Sequence, residues 1–207
     1  YLFASHADFR ASVSAGLRNF SGAYDGTSLK VSADTGRYSW RKIWQVVRHE
    51  GFHQFVHWRL ARGRGGRIPV WLNEGLAEYF GAARWTGDRM MTGFMPPLRK
   101  LRLLGYLYTG TIESFPAFVT KTGKQWVDEA SPANYDQAWS MVHFLAHAEE
   151  GKYKKSFGTY VKQVARGMPN GRAFVKSFGG DTGELETAYR RWWTSLPAHP
   201  TRDLYDR

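Results

Sequence analysis

The stretch of residues 39–61 constrains the fold most, because it predicts one long helix with two histidines on the same face. Its apolar residues are spaced for a wide buried surface and are Ile43, Trp44, Val47, Phe52, Phe55 and Val56. Inside it stands the motif His49-Glu50-Gly51-Phe52-His53. Four residues advance an α-helix by about 400° and 6 Å, so both imidazoles can meet one metal ion at about 2.1 Å. The pattern therefore predicts a metal-binding helix.

Glu50 and Gly51 stand between the two histidines and have different expected roles. Glu50 lies on the flank of the histidine face, where it can reach a metal-bound water as a general base but cannot easily join the same coordination shell. Gly51 costs about 1 kcal/mol relative to alanine inside a helix. We therefore expect another backbone or side chain to pack closely against Gly51.

A second segment supplies the acid that two histidines lack. Catalytic zinc sites usually have three protein ligands and a water molecule. Glu74, in the predicted helix of residues 71–83, can be the third ligand once the chain has turned back through residues 63–69. Glu78 follows one helical turn later on the same face, where it can accept the outer N–H of a liganding histidine. Asn73 is assigned with Glu78 to the residues that support the ligands.

The remaining histidines fit a metal site less well. His57 continues the spacing of the motif, but it is eight residues, or about 12 Å, from His49 along a helix, which is too far for one ion. We expect His57 at the edge of a cleft or packed in the protein. His143 and His147 form another pair one turn apart, without a glutamate between them or a remote acid. A core or cleft-lining position is favoured for them over a second metal site.

Composition excludes several classes of protein. The chain has no cysteine, which excludes disulfides, thiolate ligands and a cysteine nucleophile. No apolar run approaches the roughly 20 residues that span a bilayer. The net charge of +11 raises nucleic acid, anionic membranes and acidic polymers as partners. The basic residues are spread over several segments, including the glycine-rich stretch 59–67, so solvated basic faces are favoured and no nucleic-acid partner is expected.

The overall pattern predicts a single α+β domain over residues 1–207. A strand-containing part, 1–38, includes strands at residues 1–5 and 28–32 and a helix at 6–17. Residues 39–83 hold the two metal-site helices, with Gly63 to Gly66 ending the first. Residues 84–207 form a mainly helical part that follows a loop at 86–97. Its expected helices are 98–107, 112–119, 135–149, 153–166 and 183–196.

The two motifs together resemble the gluzincin branch of zinc metallopeptidases, in the peptidase MA-like clan. Three further segments resemble a bacterial domain-of-unknown-function family within that clan, namely Gly22-Ala23-Tyr24-Asp25-Gly26, Pro97-Leu98-Arg99 and residues 135–145. The resemblance implies a zincin-like fold, with a small twisted sheet over the active-site helix. It implies one Zn²⁺ held by His49, His53 and Glu74, with Glu50 as base and proton shuttle.

The resemblance also implies how a substrate is held. A strand upstream of the active-site helix should lie along the cleft, and we assign it to Leu29, Lys30, Val31 and Ser32, where an extended peptide could add. A tyrosine or histidine of the helical part should stabilise the oxyanion, with Tyr135 as first choice and His143 as the alternative. The G-x-M-E-N-type motif of the aminopeptidase members is absent, which argues against exopeptidase activity.

These observations lead to two expected functions. The first is zinc-dependent hydrolysis of peptide bonds in a peptide or protein substrate. The second is an inactive zincin-like domain that binds an anionic polymer or a protein partner. The chain opens at Tyr1 without a methionine or signal pattern, so we expect it to be a piece of a longer protein. The resemblance favours an extracytoplasmic bacterial location, and the oligomeric state is not predicted.

Overall fold

The computed structural model describes residues 1–61 and 68–204 and has an α+β fold, as predicted. The first part contains β1 (Leu2–Phe3), α1 (His6–Ser12), a 3₁₀ turn (Ala15–Leu17), β2 (Gly22–Tyr24), β3 (Leu29–Ser32) and α2 (Trp40–Phe55), which continues as a π-helical segment (Val56–Ala61). The second part contains α3 (Val70–Gly81), the strands β4 (Arg84–Trp85) and β5 (Met90–Met91), and α4 (Pro97–Thr109), α5 (Phe115–Thr120), α6 (Gly123–Asp128), α7 (Pro132–Gly151), α8 (Lys154–Ala165), α9 (Asn170–Phe178), α10 (Gly183–Ser195) and a 3₁₀ turn (Arg202–Leu204).

The N-terminus of α2 is capped by a serine, and a small apolar core packs the helix against the sheet. The hydroxyl of Ser39 accepts a hydrogen bond from the backbone N–H of Lys42, which satisfies one of the free donors of the first turn. Ile43 and Val46 are buried against Val31 of β3. The predicted end of this helix at Gly63 to Gly66, and Arg62, Arg64 and Arg67 beside it, lie outside the described residues.

The three-stranded sheet has the order β1-β3-β2, so β3 is the central strand. It pairs in parallel with β1, Leu2 opposite Val31, and antiparallel with β2, Ala23 opposite Lys30. The turn between β2 and β3 is held by Asp25, whose carboxylate accepts hydrogen bonds from the backbone N–H groups of Thr27 and Ser28. Because both sides of β3 are paired, the edges of this sheet are β1 and β2.

The larger core lies in the helical part and is built around α3 and α7. Trp71 and Leu72 of α3 are fully buried with Trp139 of α7. Gly75 permits this contact, because a Cβ atom there would lie 2.5 Å from the carbonyl oxygen of Ala138. The packing fixes α3, and with it Glu74 and Glu78, on the surface of the main core.

The structure differs from the predicted elements at several places. The predicted helix 6–17 ends at Ser12, since Val13 is extended and a 3₁₀ turn follows. The predicted loop 86–97 contains β5, which pairs with β4. Two short helices, α6 and α9, were not predicted, although α6 carries a capping box of Thr122 and Gln125. Across the described residues, none of the helices has the length and apolar character that crossing a membrane requires.

Candidate metal centre

The helices α2 and α3 run side by side in opposite directions, which brings the two sequence motifs together. In the middle of α2, Arg48 Nε donates a hydrogen bond to the carbonyl oxygen of Gly81 at the end of α3, at 3.1 Å. Further along, the rings of Phe52 and Phe80 stack with centroids 4.9 Å apart. Glu74 and Glu78 consequently face the side of α2 that carries His49 and His53.

Three side-chain atoms form a nearly equilateral triangle at this junction. The Nε2 atoms of His49 and His53 are 3.1 Å apart, and each is 3.6 Å from Glu74 Oε2. A point at the centre of such a triangle lies about 2 Å from each corner, which is the bond length of zinc to imidazole nitrogen and carboxylate oxygen. These three residues form the only group in residues 1–61 and 68–204 with the spacing of a metal site. The donor set therefore fits a zinc ion.

The two imidazoles differ in basicity. Burial disfavours the charged form of both rings. For His49 burial prevails and lowers the pKa, whereas for His53 the hydrogen bond and the charge of Glu74 outweigh burial and raise the pKa. Metal binding requires the neutral imidazole, so it competes with protonation more strongly at His53 than at His49.

The Nδ1 atom of His49 lies beside Glu78, which in turn is paired with Arg99. His49 Nδ1 lies 3.4 Å from Glu78 Oε1, and the other oxygen of Glu78 accepts a hydrogen bond from Arg99 Nη1 at 2.6 Å. Burial opposes the ionisation of Glu78, but Arg99 and His49 outweigh it and lower the pKa of this carboxyl. Glu78 is thus held ionised in the position that orients His49.

Arg99 is itself held by a second carboxylate. Arg99 Nε donates to Asp136 Oδ1 at 2.7 Å, and Arg102 donates to the same carboxylate through Nε at 2.8 Å and Nη2 at 3.0 Å. The side chain of Asp136 is 1% exposed, so this acid is compensated by two arginines. Sequence reasoning assigned no role to Arg99 or Asp136. The sequence did contain a signal for both residues, since Arg99 lies in Pro97-Leu98-Arg99 and Asp136 lies in residues 135–145, two of the segments that resemble the family.

Asn73 lies beside the other histidine. Its Oδ1 and the Nδ1 of His53 are both buried, and neither makes a hydrogen bond of normal geometry with the described residues. After burial and the contribution of Glu74, the Asn73 side chain, as an acceptor, is among the causes that raise the pKa of His53. Asn73 is therefore placed to support His53, as Glu78 supports His49.

Glu50 lies next to the triangle, under the edge strand β2. Burial, the largest cause, raises the pKa of Glu50 to about 7, while the charge of His53 acts in the opposite direction. The strand β2 passes close above it, since a Cβ atom on Gly22 would lie 2.3 Å from Val46 Cγ1 and 3.0 Å from Glu50 Cγ. A carboxyl that titrates near neutral pH can both accept and release a proton there.

A cleft of about 950 Å³ opens over the triangle and includes Tyr135. The pKa of Tyr135 is raised, first by burial and then by the charge of Glu74, which shows that the phenol shares the electrostatic environment of the site. The ring of Trp126 packs edge-on against Tyr135 with centroids 5.3 Å apart. The apolar residues along the cleft include Leu17, Phe20, Val46, Val70, Trp126 and Val127.

The prediction that β3 binds the substrate peptide is wrong. Leu29, Lys30, Val31 and Ser32 do form a strand, but β3 is paired on both sides and cannot accept an added peptide. The edge that faces the cleft belongs to β2, whose residues Gly22, Ala23 and Tyr24 line it. The alternation of apolar and polar residues predicts that this segment is a strand, but it does not predict which strands pair with it.

Two further expectations about this region are wrong. His143 is fully buried between Tyr79 and Trp139 and does not line the cleft, so it is no alternative for the oxyanion. Gly51 has no close neighbour, because a Cβ atom there would meet only Leu29 Cδ1, at 3.8 Å.

His57 is half-buried, as expected, and its Nδ1 is 3.1 Å from the hydroxyl of Tyr24. For His147 the expected core or cleft-lining position is wrong, because the residue is exposed and lies outside the cleft. Its Nε2 is 2.8 Å from the hydroxyl of Tyr79.

The fold and the site define an α+β protein whose candidate metal centre lies between two antiparallel helices. Comparison by sequence places it in a family: the profile described as "Protein of unknown function (DUF1570)" matches residues 43–169, more than half of the chain. The chain belongs to this family. No curated protein and no solved structure matches it.

Proposed function

We propose that the chain is a gluzincin-like, zinc-dependent metallopeptidase that hydrolyses peptide bonds. The observation that carries the proposal is the triangle of His49 Nε2, His53 Nε2 and Glu74 Oε2, with sides of 3.1 and 3.6 Å. A carboxyl with a raised pKa, that of Glu50, lies beside this triangle in the same cleft. A metal ligand set with an adjacent proton acceptor is what hydrolysis by an activated water needs.

The chemistry is divided between the ion and the side chains of the cleft. Zinc held by His49, His53 and Glu74 would supply Lewis acidity, which lowers the pKa of water and polarises a carbonyl group. Glu50 accepts a proton from the attacking water and delivers it to the leaving amine. Burial raises the pKa of this carboxyl to about 7, and the charge of a bound zinc ion would lower it and favour the carboxylate that accepts the proton.

Tyr135 donates a hydrogen bond to the oxygen on which negative charge develops. The phenol lies in the same cleft as Glu50 and Glu74, both of which influence its pKa. Burial raises the pKa of Tyr135, so the hydroxyl keeps its proton at neutral pH and remains a donor. Trp126, packed against the ring, limits its movement.

The substrate lies extended along β2. This strand has no partner on its outer side among the described residues, so its backbone groups can pair with a peptide. A strand added in the antiparallel direction makes the more favourable ladder. The polypeptide backbone then crosses the cleft between Gly22 of β2 and the metal ligands of α2.

The test combines metal content with turnover. The chain is purified without chelator or metal-affinity resin and analysed by elemental mass spectrometry, beside His53→Ala, Glu74→Ala and Glu50→Gln. We expect about one zinc per chain in the wild type and in Glu50→Gln, and a loss of metal in the two ligand variants. His199→Ala is the matched control, since His199 is exposed and lies away from the cleft.

Turnover is measured on a library of quenched fluorescent peptides. Glu50→Gln should keep its metal and lose at least about 100-fold in kcat, the usual contribution of a general base. A Glu50→Gln chain that cleaved as fast as the wild type would overturn the mechanism. A chain that took up no zinc even from added metal would overturn the assignment to metallopeptidases.

A further inference from the structure

We propose that one face of α2 docks on the surface of an anionic lipid bilayer. This face is the tryptophan stripe, which consists of Trp40, Trp44, Val47, Gly51 and Phe55. The proposal does not depend on the proposed peptidase function, since none of these residues lines the cleft. It follows from the exposure of the stripe, its continuity along the helix and the charges beside it.

The three large side chains of the stripe are exposed, although the sequence predicts Trp44 and Phe55 in a buried surface. The exposed fractions of Trp40, Trp44 and Phe55 are 59%, 51% and 49%. Val47 and Gly51, which lie between them, are half-buried. Aromatic side chains that are concentrated on one surface in this way mark a binding site for an apolar or amphipathic partner.

Helical geometry makes the stripe continuous. At about 100° per residue, its five members fall within an arc of about 80° around the axis of α2. Trp40 and Trp44 are one turn apart, as are Gly51 and Phe55, and the stripe is about 22 Å long. Past Phe55 the chain continues in the π-helical segment, where Trp58 is 47% exposed. The exposed aromatic surface therefore extends into the next turn.

The other faces of α2 are occupied. Ile43 and Val46 pack under the sheet, and Phe52 stacks on a ring of α3. His49 and His53 lie about 160–200° around the axis from the middle of the stripe. A chain that docks through the stripe consequently keeps its metal-binding face turned away from the lipid.

The charges near the stripe favour an anionic partner. Residues 35–61 contain five arginines and lysines and one acid, Glu50, which lines the cleft. Arg41 and Arg48, seven residues apart, lie along one edge of the stripe. Arg59 is exposed in the π-helical segment. Aromatic residues beside basic ones are typical of helices that lie in the plane of an anionic bilayer.

A bilayer surface fits the stripe better than the other partners that its composition suggests. Tryptophan favours the headgroup level of a membrane, where its ring is in an apolar environment and its N–H remains hydrated. Proteins that bind single-stranded nucleic acid hold it in a basic groove, whereas the stripe lies on the convex surface of a helix. A second copy of the chain would bring two rows of arginines and two net charges of +11 together.

Flotation with lipid vesicles tests the proposal on the whole chain. Vesicles of phosphatidylcholine alone are compared with vesicles in which about one third of the lipid is phosphatidylglycerol, at low and at high salt. The variants are Trp44→Gln, the double variant Trp40→Gln/Trp44→Gln, and Arg41→Gln. Tyr108→Gln, at a 93% exposed position of α4, is the matched control for the loss of an aromatic ring. Lys155→Gln, at an exposed position of α8, is the control for the loss of a cation.

We expect the chain to float with the anionic vesicles and to bind them more weakly as salt screens the attraction. Trp44→Gln should lower the partition coefficient about tenfold, and the double variant should lower it further, because less apolar area is removed from water. Arg41→Gln should weaken binding about fivefold, on the anionic vesicles only. Both control variants should bind as the wild type does.

No binding to anionic vesicles, or equal binding by the wild type and the double tryptophan variant, would overturn the proposal. Sedimentation velocity without lipid and fluorescence anisotropy with a labelled oligonucleotide measure the two other partners. A dimer or an oligonucleotide complex that the double variant abolishes would overturn the proposal in favour of that partner. Zinc content and turnover of a soluble peptide should be unchanged in Trp44→Gln, so failure of the bilayer site and failure of the peptidase function are distinguishable.

Discussion

At the residue scale, Gly22 determines how closely the edge strand β2 approaches α2, the helix that carries two residues of the candidate metal centre. A Cβ atom there would lie 2.3 Å from Val46 Cγ1 and 3.3 Å from the Glu50 carboxylate oxygen Oε1. We predict that Gly22→Ala displaces β2 or Glu50, lowers the free energy of unfolding by about 1–3 kcal/mol and reduces turnover. Thermal unfolding and kcat/KM on a fluorescent peptide measure the two effects.

Gly51 provides the matched control, because it neighbours the same glutamate but has room for a methyl group. The nearest atom to its Cβ position is Leu29 Cδ1 at 3.8 Å, an ordinary van der Waals contact. Gly51→Ala should stabilise α2 by about 1 kcal/mol, or about 2–4 °C in Tm for a chain of this size. If both alanine variants lowered Tm equally, close packing at Gly22 would not be the cause.

We expect His143, which lies outside the candidate metal centre, to make stability depend on pH. Burial lowers the pKa of His143 well below its usual value, with His147 and Arg99 acting in the same direction and the backbone of Phe94 in the opposite one. The folded chain therefore keeps His143 neutral. As pH falls below about 6.5, the unfolded chain binds a proton that the folded chain does not, and the free energy of unfolding decreases.

Replacing His143 should weaken this dependence. We predict that His143→Met, which is close to histidine in volume, loses less Tm between pH 7 and pH 5 than the wild type does. His199→Ala, at an exposed position, is the control and should follow the wild type. The same acid-induced loss of Tm in His143→Met would show that other groups control acid stability.

At the scale of elements, the sequence predicts which side chains share a face when they belong to the same helix. His49 and His53 share a face because they are one turn apart, and Glu74 and Glu78 do so for the same reason. The order of the strands in the sheet depends on pairing between distant parts of the chain, so local sequence patterns do not predict it. β1 and β3 pair across a long stretch of chain, and this pairing is what moves Leu29–Ser32 from the edge of the sheet to its centre. The contacts of Arg99 with Glu78 and Asp136 likewise depend on how α4 and α7 pack against α3.

The contact between α3 and α4 through Glu78 leads to a prediction about metal affinity. Glu78 links His49 to Arg99, at 3.4 and 2.6 Å. Glu78→Gln keeps the shape of the side chain but removes the charge that orients the imidazole, so we expect zinc to bind about 10–100-fold more weakly. Competition with a chromophoric chelator measures the affinity, and circular dichroism checks the fold.

Glu184→Gln is the control for this substitution, because Glu184 is exposed on α10, away from the cleft. It should bind zinc as the wild type does. An unchanged affinity in Glu78→Gln would mean that the packing of α2 alone is sufficient to hold His49 in place.

At the scale of the whole molecule, the cleft separates two cores of unequal size. On one side, Val31, Ile43 and Val46 form a small core under the sheet. On the other, α3 and α7 contribute to a much larger core, with Trp71, Trp139 and Trp193 among its fully buried side chains. Because burial of apolar area is the main source of stability, the sheet and α2 should open more readily than the helical part.

A bound ion would connect the two sides, since His49 and His53 lie on α2 and Glu74 lies on α3. We predict that zinc slows hydrogen exchange in β1–β3 and α2 and leaves α7 almost unchanged. Zinc at 100 times its Kd should add about 2.7 kcal/mol to the free energy of unfolding, or roughly 5–10 °C in Tm. In His53→Ala neither effect should occur. Equal protection of β1–β3 and α7 without zinc would contradict the unequal stability of the two sides, whatever the ion does.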